Sequence, residues 1–161
     1  MIEITRFKKT GGSLTKRIHV NEDGTLGNDS SNCRMAHGTA FRQPLSDLQA
    51  FAKLIESMPD NEAIALGALR PGLPDRVAIV TKEDKRANKP AFATRTQDTV
   101  IYEKRPALVL CDFDAKNMSA SVCERIEKAG GFLAALCEVC PELASAGHVR
   151  RSSTSANIGN G

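Results

Sequence analysis

Two carboxylates at positions i and i+2, Asp112 and Asp114, close the apolar run Leu108-Val109-Leu110-Cys111. In a strand alternate residues share a side, so this pair would converge at a strand's carboxyl end, where α/β sheets form ligand clefts, while Phe113 turns inward. Hard oxygen donors at that separation suit Mg²⁺ or Mn²⁺, which keep several waters and hold substrate phosphates. A strand-to-helix turn fits the same residues, because Asp is a favoured turn and capping residue, and D-x-D is a short motif.

A second segment, Arg150-Arg151-Ser152-Ser153-Thr154-Ser155, offers two guanidinium groups and four hydroxyls. Guanidinium pairs bidentately with phosphate and hydroxyls donate beside it, so a nucleotide or a nucleic-acid backbone is the fitting ligand. Composition also fits a Ser/Asn/Gly-rich loop or tail over residues 150–161. Cys137 and Cys140 form a C-x-x-C, but no second pair accompanies it and it ends a helical stripe, so both thiols are expected to pack inward. His19, His37 and His148 have no ligand partner at short spacing.

The elements that must position these groups follow from periodicity. Residues 3–9 and 14–21 alternate around Thr10-Gly11-Gly12 and predict an N-terminal hairpin, with a turn at Glu22-Asp23-Gly24-Thr25. Residues 33–43 show no clear period. Leu48, Phe51, Leu54, Ile55 and Met58 recur at helical spacing behind Ser46 as N-cap, ending at Pro59. Residues 63–68, 77–81 and 99–102 are short β-capable runs, Pro71-Gly72-Leu73-Pro74 is a stiff turn, and residues 83–95 read as an exposed loop. Residues 107–112 predict a central strand buried on both faces. Ser121 and Glu124 make a capping box for a further helix, which Gly130-Gly131 should break before residues 132–140 resume. The expected architecture is α/β or α+β, a mixed sheet flanked by helices in a single domain over residues 1–149.

Composition narrows the classes. The 161 residues are 41% hydrophobic and 25% charged with 4% aromatic, an ordinary globular balance. The longest apolar runs fall far short of the roughly twenty residues of a bilayer helix, and the N-terminus has no signal-like apolar core. Five cysteines without a dense framework point to reduced thiols and a cytoplasmic setting. The net charge of +3 is modest, but residues 1–17 carry Arg6, Lys8, Lys9, Lys16 and Arg17 against Glu3 alone. That basic edge suits either phosphates or plain solvation.

The strand ending Leu110-Cys111-Asp112-Phe113-Asp114, the helical region after it and the run His148-Val149-Arg150-Arg151-Ser152-Ser153-Thr154-Ser155-Ala156 resemble the primase-polymerase domain of phages, plasmids and integrated mobile elements, in the archaeo-eukaryotic primase superfamily. The likeness takes in the helix from Ser46 to Met58 and the strand Glu62-Ala63-Ile64-Ala65-Leu66-Gly67, most of residues 40–157. It implies that Asp112 and Asp114 match the first primase motif as catalytic ligands of Mg²⁺ or Mn²⁺. Metals so held stabilise the attacking and leaving oxygens of nucleotidyl transfer. Arg150, Arg151, Ser152, Ser153, Thr154 and Ser155 would then contact nucleotide or nucleic acid, and the implied partners are nucleoside triphosphates, a DNA or RNA-primed DNA template and a replicative helicase. A second motif of the small-x-His kind and a third bearing another Asp belong after the serine-rich run and are not found in the 161 residues, so the chain reads as the front half of such a domain, inactive by itself. Two other readings stand beside it. One is a non-catalytic nucleic-acid-binding adaptor of a mobile element, using the basic N-terminal edge. The other is a haloacid-dehalogenase-type phosphatase, disfavoured because Ala115-Lys116 replaces the usual Gly-Thr after the second Asp.

Overall fold

Strand β1 (Ile2–Lys9) alternates its side chains so that Thr5 and Phe7 enter one face and Ile4, Arg6 and Lys8 the other, and both of its edges are paired. On one edge lies β4 (Gly38–Leu45) and on the other β5 (Glu62–Ala65), both antiparallel. Strand β7 (Arg76–Ile79) continues the sheet antiparallel to β4, and β8 (Phe92–Ala93) adds parallel to β7, giving the order β5-β1-β4-β7-β8. The computed structural model describes residues 1–81, 92–94, 96–102, 107–113 and 118–151. They fall into two compact units, residues 1–109 and 110–161, and the sheet belongs to the first. The class is α+β. Among the described residues no helix is long and apolar enough to cross a membrane.

The inner face of the sheet carries Phe7, Ala40, Val77 and Ile79, which pack with Met35, Ala93, Leu69 and Val100 into the core. Leu69 and Val100 come from a second, two-stranded sheet of β6 (Ala68–Leu69) and β9 (Val100–Ile101). Fully buried Thr5 donates its hydroxyl to the Gly67 carbonyl at 2.8 Å, so its polar atom is satisfied. Gly38 is required where β4 crosses the end of β1, because a Cβ there would sit 2.2 Å from the Lys8 carbonyl oxygen.

Arg42 is the inner face's ionic centre. Its side chain is only 17% exposed. Nη1 donates to Glu3 Oε1 at 2.7 Å and to the Leu69 carbonyl at 2.8 Å; Nη2 donates to the carbonyls of Arg70 at 2.7 Å and Leu73 at 3.1 Å. Nε lies 3.3 Å from Asp75 Oδ1. One planar fork therefore ties β4 to β1, to β6 and to the Pro71–Pro74 turn, a geometry that a lysine ammonium cannot reproduce.

Helix α1 (Leu48–Glu56) packs against β4, and Ile4 and Leu45 at that end of the outer face are buried along with Phe51. Its N-cap is Asp47, one residue after the expected Ser46. Asp47 Oδ1 accepts from the Ala50 N–H at 2.7 Å, and the Ser46 hydroxyl donates to Oδ2 at 2.9 Å. A carboxylate satisfies helix-end donors and favours the dipole better than a hydroxyl, and Ser46 supports it from behind.

Several expectations are corrected. The N-terminal hairpin pairs differently: β1 bonds to β4 and β5, while β2 (Arg17–Val20) pairs with β3 (Leu26–Asp29) around the Asn21–Thr25 turn. Strand β2 is only four residues long and mostly exposed, with Val20 68% exposed, whereas both edges of β1 are taken by β4 and β5. Residues 38–45, without visible period, form a central strand, because its inner-face residues Gly38, Ala40 and Arg42 break the hydrophobic alternation. Within the supposed loop of residues 83–95, Phe92–Ala93 is a strand. Residues 107–113 belong to no strand, with Val109 83% and Leu110 78% exposed, so the expected central strand is absent there, and β4 is the middle strand of the sheet.

In the second unit, α2 (Ala120–Lys128) begins at Ser119 and not at a Ser121 box, and Glu124 instead pairs with Lys128 at 2.8 Å. The expected break is real. Gly130 and Gly131 have φ of 90° and 117°; the Gly131 N–H bonds Ile126 O and the Gly130 N–H bonds Glu127 O, the paired bonds of a Schellman ending. Helix α3 (Phe132–Val139) follows, then a 3₁₀ turn at Pro141–Ser145.

Arg42→Ala removes the side-chain donor to Glu3 and to the carbonyls of Leu69, Arg70 and Leu73, of which Arg70's keeps the Leu73 N–H, and is expected to cost about 3 kcal/mol in chemical denaturation, with Arg42→Lys recovering only part. Hydrogen bonds to its charged form hold the Asp47 carboxyl below its ordinary value, the Ala50 N–H contributing most. Its stabilisation is full above the ordinary carboxylate range and is lost as pH falls through the lowered value. Asp47→Asn should therefore flatten the acid side of the thermal-stability profile, whereas Asp47→Ala should lower the melting temperature at neutral pH as well.

Candidate functional site

The outer face of the sheet away from α1 is built by register. Arg6 of β1 lies opposite Phe41 of β4, Phe41 lies opposite Arg76 of β7, and Ile64 of β5 flanks Arg6 on the other side. The next row, two residues along each strand, is Glu62, Lys8, Thr39 and Ala78. Neighbouring strands lie about 4.8 Å apart and successive same-face residues about 7 Å apart, so these groups form a continuous patch. Arg76 and Ala78 are exposed; Phe41, Thr39 and Ile64 are half-buried. Antiparallel sheets commonly leave one face solvated, and this solvated half carries cations around an aromatic ring.

Within the patch the charges are ordered. The Glu62 side chain is 3% exposed and binds the Arg6 guanidinium through Oε2, while Lys8 Nζ stands 3.8 Å from Oε1. Burial of that carboxylate is tolerable because two cations and the β1 register hold it. The Arg76 guanidinium carbon sits 5.2 Å from the Phe41 ring centroid, a cation–π contact of the kind worth about 0.5–1 kcal/mol at an exposed site. Three cations against one anion leave the patch positive.

Of the basic N-terminal edge, Arg6 and Lys8 lie on this face. Lys9 points to the opposite side and donates to the carbonyls of Ser13 at 3.0 Å and Asn32 at 2.7 Å. Lys16 and Arg17 are exposed beside the β2–β3 hairpin.

The residues singled out from sequence lie in the second unit. Asp112 is exposed and outside any strand, and Phe113, expected to enter a sheet core, stacks on Phe132 with ring centroids 4.7 Å apart. Arg150 and Arg151 are exposed. Asp114, Ser152, Ser153, Thr154 and Ser155 lie outside the described residues. No group of three or more His, Cys, Asp or Glu arranged to hold a metal occurs among the described residues. Cys137 and Cys140 are free thiols and half-buried, less enclosed than a core stripe would make them, because α3 ends at Val139 and Cys140 turns to donate to Glu142 at 3.4 Å.

The lowered carboxyl groups belong to local turns. Asp23 is held down by the Thr25 hydroxyl and N–H, Asp29 by the Ser31 N–H and hydroxyl, and Glu142 by its own backbone N–H and the Cys140 thiol.

Phe41 and Arg76 were not singled out by sequence reasoning. Their only local signal is a lone aromatic in an aperiodic stretch and an arginine before an apolar run; the pairing that joins them is long-range. Comparison with known proteins yields no matching family model, no matching curated protein and no matching solved structure. Glu62→Gln keeps the shape of the buried side chain while removing its charge. It is expected to lower stability by about 1–2 kcal/mol through weakened hydrogen bonds to Arg6, measured by urea unfolding.

Proposed function

We propose that this chain is a nucleic-acid-binding module that works through the outer face of its five-stranded sheet. The observation that carries the reading is the cross-strand row Arg6–Phe41–Arg76 with Lys8 beside it: positive charge and an aromatic ring, in register, on a solvated sheet half. Phosphate attraction by Lys and Arg supplies most sequence-independent affinity for nucleic acid, and aromatic or guanidinium planes supply contacts to bases. The adaptor reading from the sequence is thus favoured, with the binding charges on the sheet and not spread along the whole basic edge.

The finer reading implied by the family resemblance ranks second. It makes the chain the metal-binding half of a primase-polymerase-like domain, with Asp112 and Asp114 on Mg²⁺ or Mn²⁺ and Arg150, Arg151 and Ser152–Ser155 on nucleotide or template. Asp112 is exposed and thus open to a cation, but it lies outside any strand, so no strand register orients it. Binding by the sheet needs neither carboxylate nor metal.

The test is fluorescence anisotropy with labelled oligonucleotides across a salt series, with and without a chelator. Binding is expected to persist in chelator and in Asp112→Asn. Lys8→Gln should weaken it uniformly across sequences and reduce the log–log salt slope by about one. Binding that requires Mg²⁺ and is lost in Asp112→Asn would favour the metal-dependent reading instead.

A further inference from the structure

Resting on the nucleic-acid reading above, we infer that the outer plane of the Arg76 guanidinium, backed by Phe41, is the seat for one unpaired base, so that the sheet selects single-stranded nucleic acid over duplex. Phe41 is half-buried and one side of its ring is taken by Arg76, whose guanidinium carbon is 5.2 Å from the centroid. The ring therefore acts as a support. Arg76 itself is exposed, so the side of its guanidinium away from the ring is open to a planar partner. Bases stack on guanidinium planes as they do on aromatic rings, and here the arginine's rotameric freedom is already restricted before a base arrives.

The surroundings favour a nucleotide at that seat. Two residues along β7 on the same face, Ala78 is small and exposed. On β1, Lys8 is 52% exposed, with its ammonium only loosely held at 3.8 Å by Glu62, so it can meet a phosphate. Glu62 is engaged with Arg6 and Lys8, and Asp75, next to Arg76 in sequence, is paired with Arg42. A duplex keeps its base planes stacked inside the helix, so a planar group on a sheet face meets a free base face only where the strand is unpaired. Only a splayed base can reach the seat.

The experiment uses the full chain and measures anisotropy of a short oligo-dT strand, an oligo-U strand of equal length and a hairpin duplex. Both single strands should bind, since plane and phosphate are common to them, and the duplex should bind about tenfold more weakly. Arg76→Lys keeps the charge, loses the plane and sits at an exposed position where folding is unaffected. It should weaken the single strands about tenfold with an unchanged salt slope and little effect on the duplex. Phe41→Leu should do the same. Duplex binding as tight as oligo-dT, binding of only one of the two single strands, or indifference of both single strands to Arg76→Lys overturns this inference while leaving the module's nucleic-acid binding intact. Failure to bind any of the three probes overturns that reading, and this inference with it.

Discussion

The pairing of β1 on both edges is the constraint from which the rest of the first unit follows. Because side chains alternate, one register decides at once that Thr5 and Phe7 are buried and that Arg6 and Lys8 are presented. A slip of one residue would drive two cations into the core and expose the phenyl ring. The core and the cationic face are thus two sides of a single choice, enforced most strongly by apolar burial on the inner side.

Charge plays two distinct roles in this sheet. Arg42, on the inner face, spends all its donors on Glu3, Asp75 and three carbonyls, and its work is to join β4 to its neighbours. Arg76, one strand away and on the outer face, is bound only lightly to a ring. Counting basic residues would treat the two alike. Glu62 has an intermediate place: buried, it anchors Arg6 and limits where Lys8 can reach, so the patch has an ordered cation beside a freer one.

Much of the local structure is legible in the sequence because its causes are local. The apolar spacing from Leu48 to Ile55 gives α1, Gly130-Gly131 ends α2, alternation marks β1, and a short β-capable run marks β7. What fails depends on distant partners. Strand β4 hides because its inner positions hold Gly38, Ala40 and Arg42, and it is a strand only through neighbours on both edges. Conversely, Leu108-Val109-Leu110 has a buried strand's composition but lies outside the sheet. Asp112 therefore lacks the strand platform on which a metal-binding role would rest. The patch around Phe41 was invisible, since its three strands come from residues 2–9, 38–45 and 76–79 and only the register aligns them.

The most direct test of the sheet-face account is an amide chemical-shift map of the isotopically labelled chain as oligo-dT is added. The account predicts that the largest shifts fall on Arg6, Lys8, Phe41, Arg76 and Ala78, with α2 and α3 unmoved. Shifts concentrated on Asp112, Arg150 and Arg151, with β1, β4 and β7 silent, would contradict it.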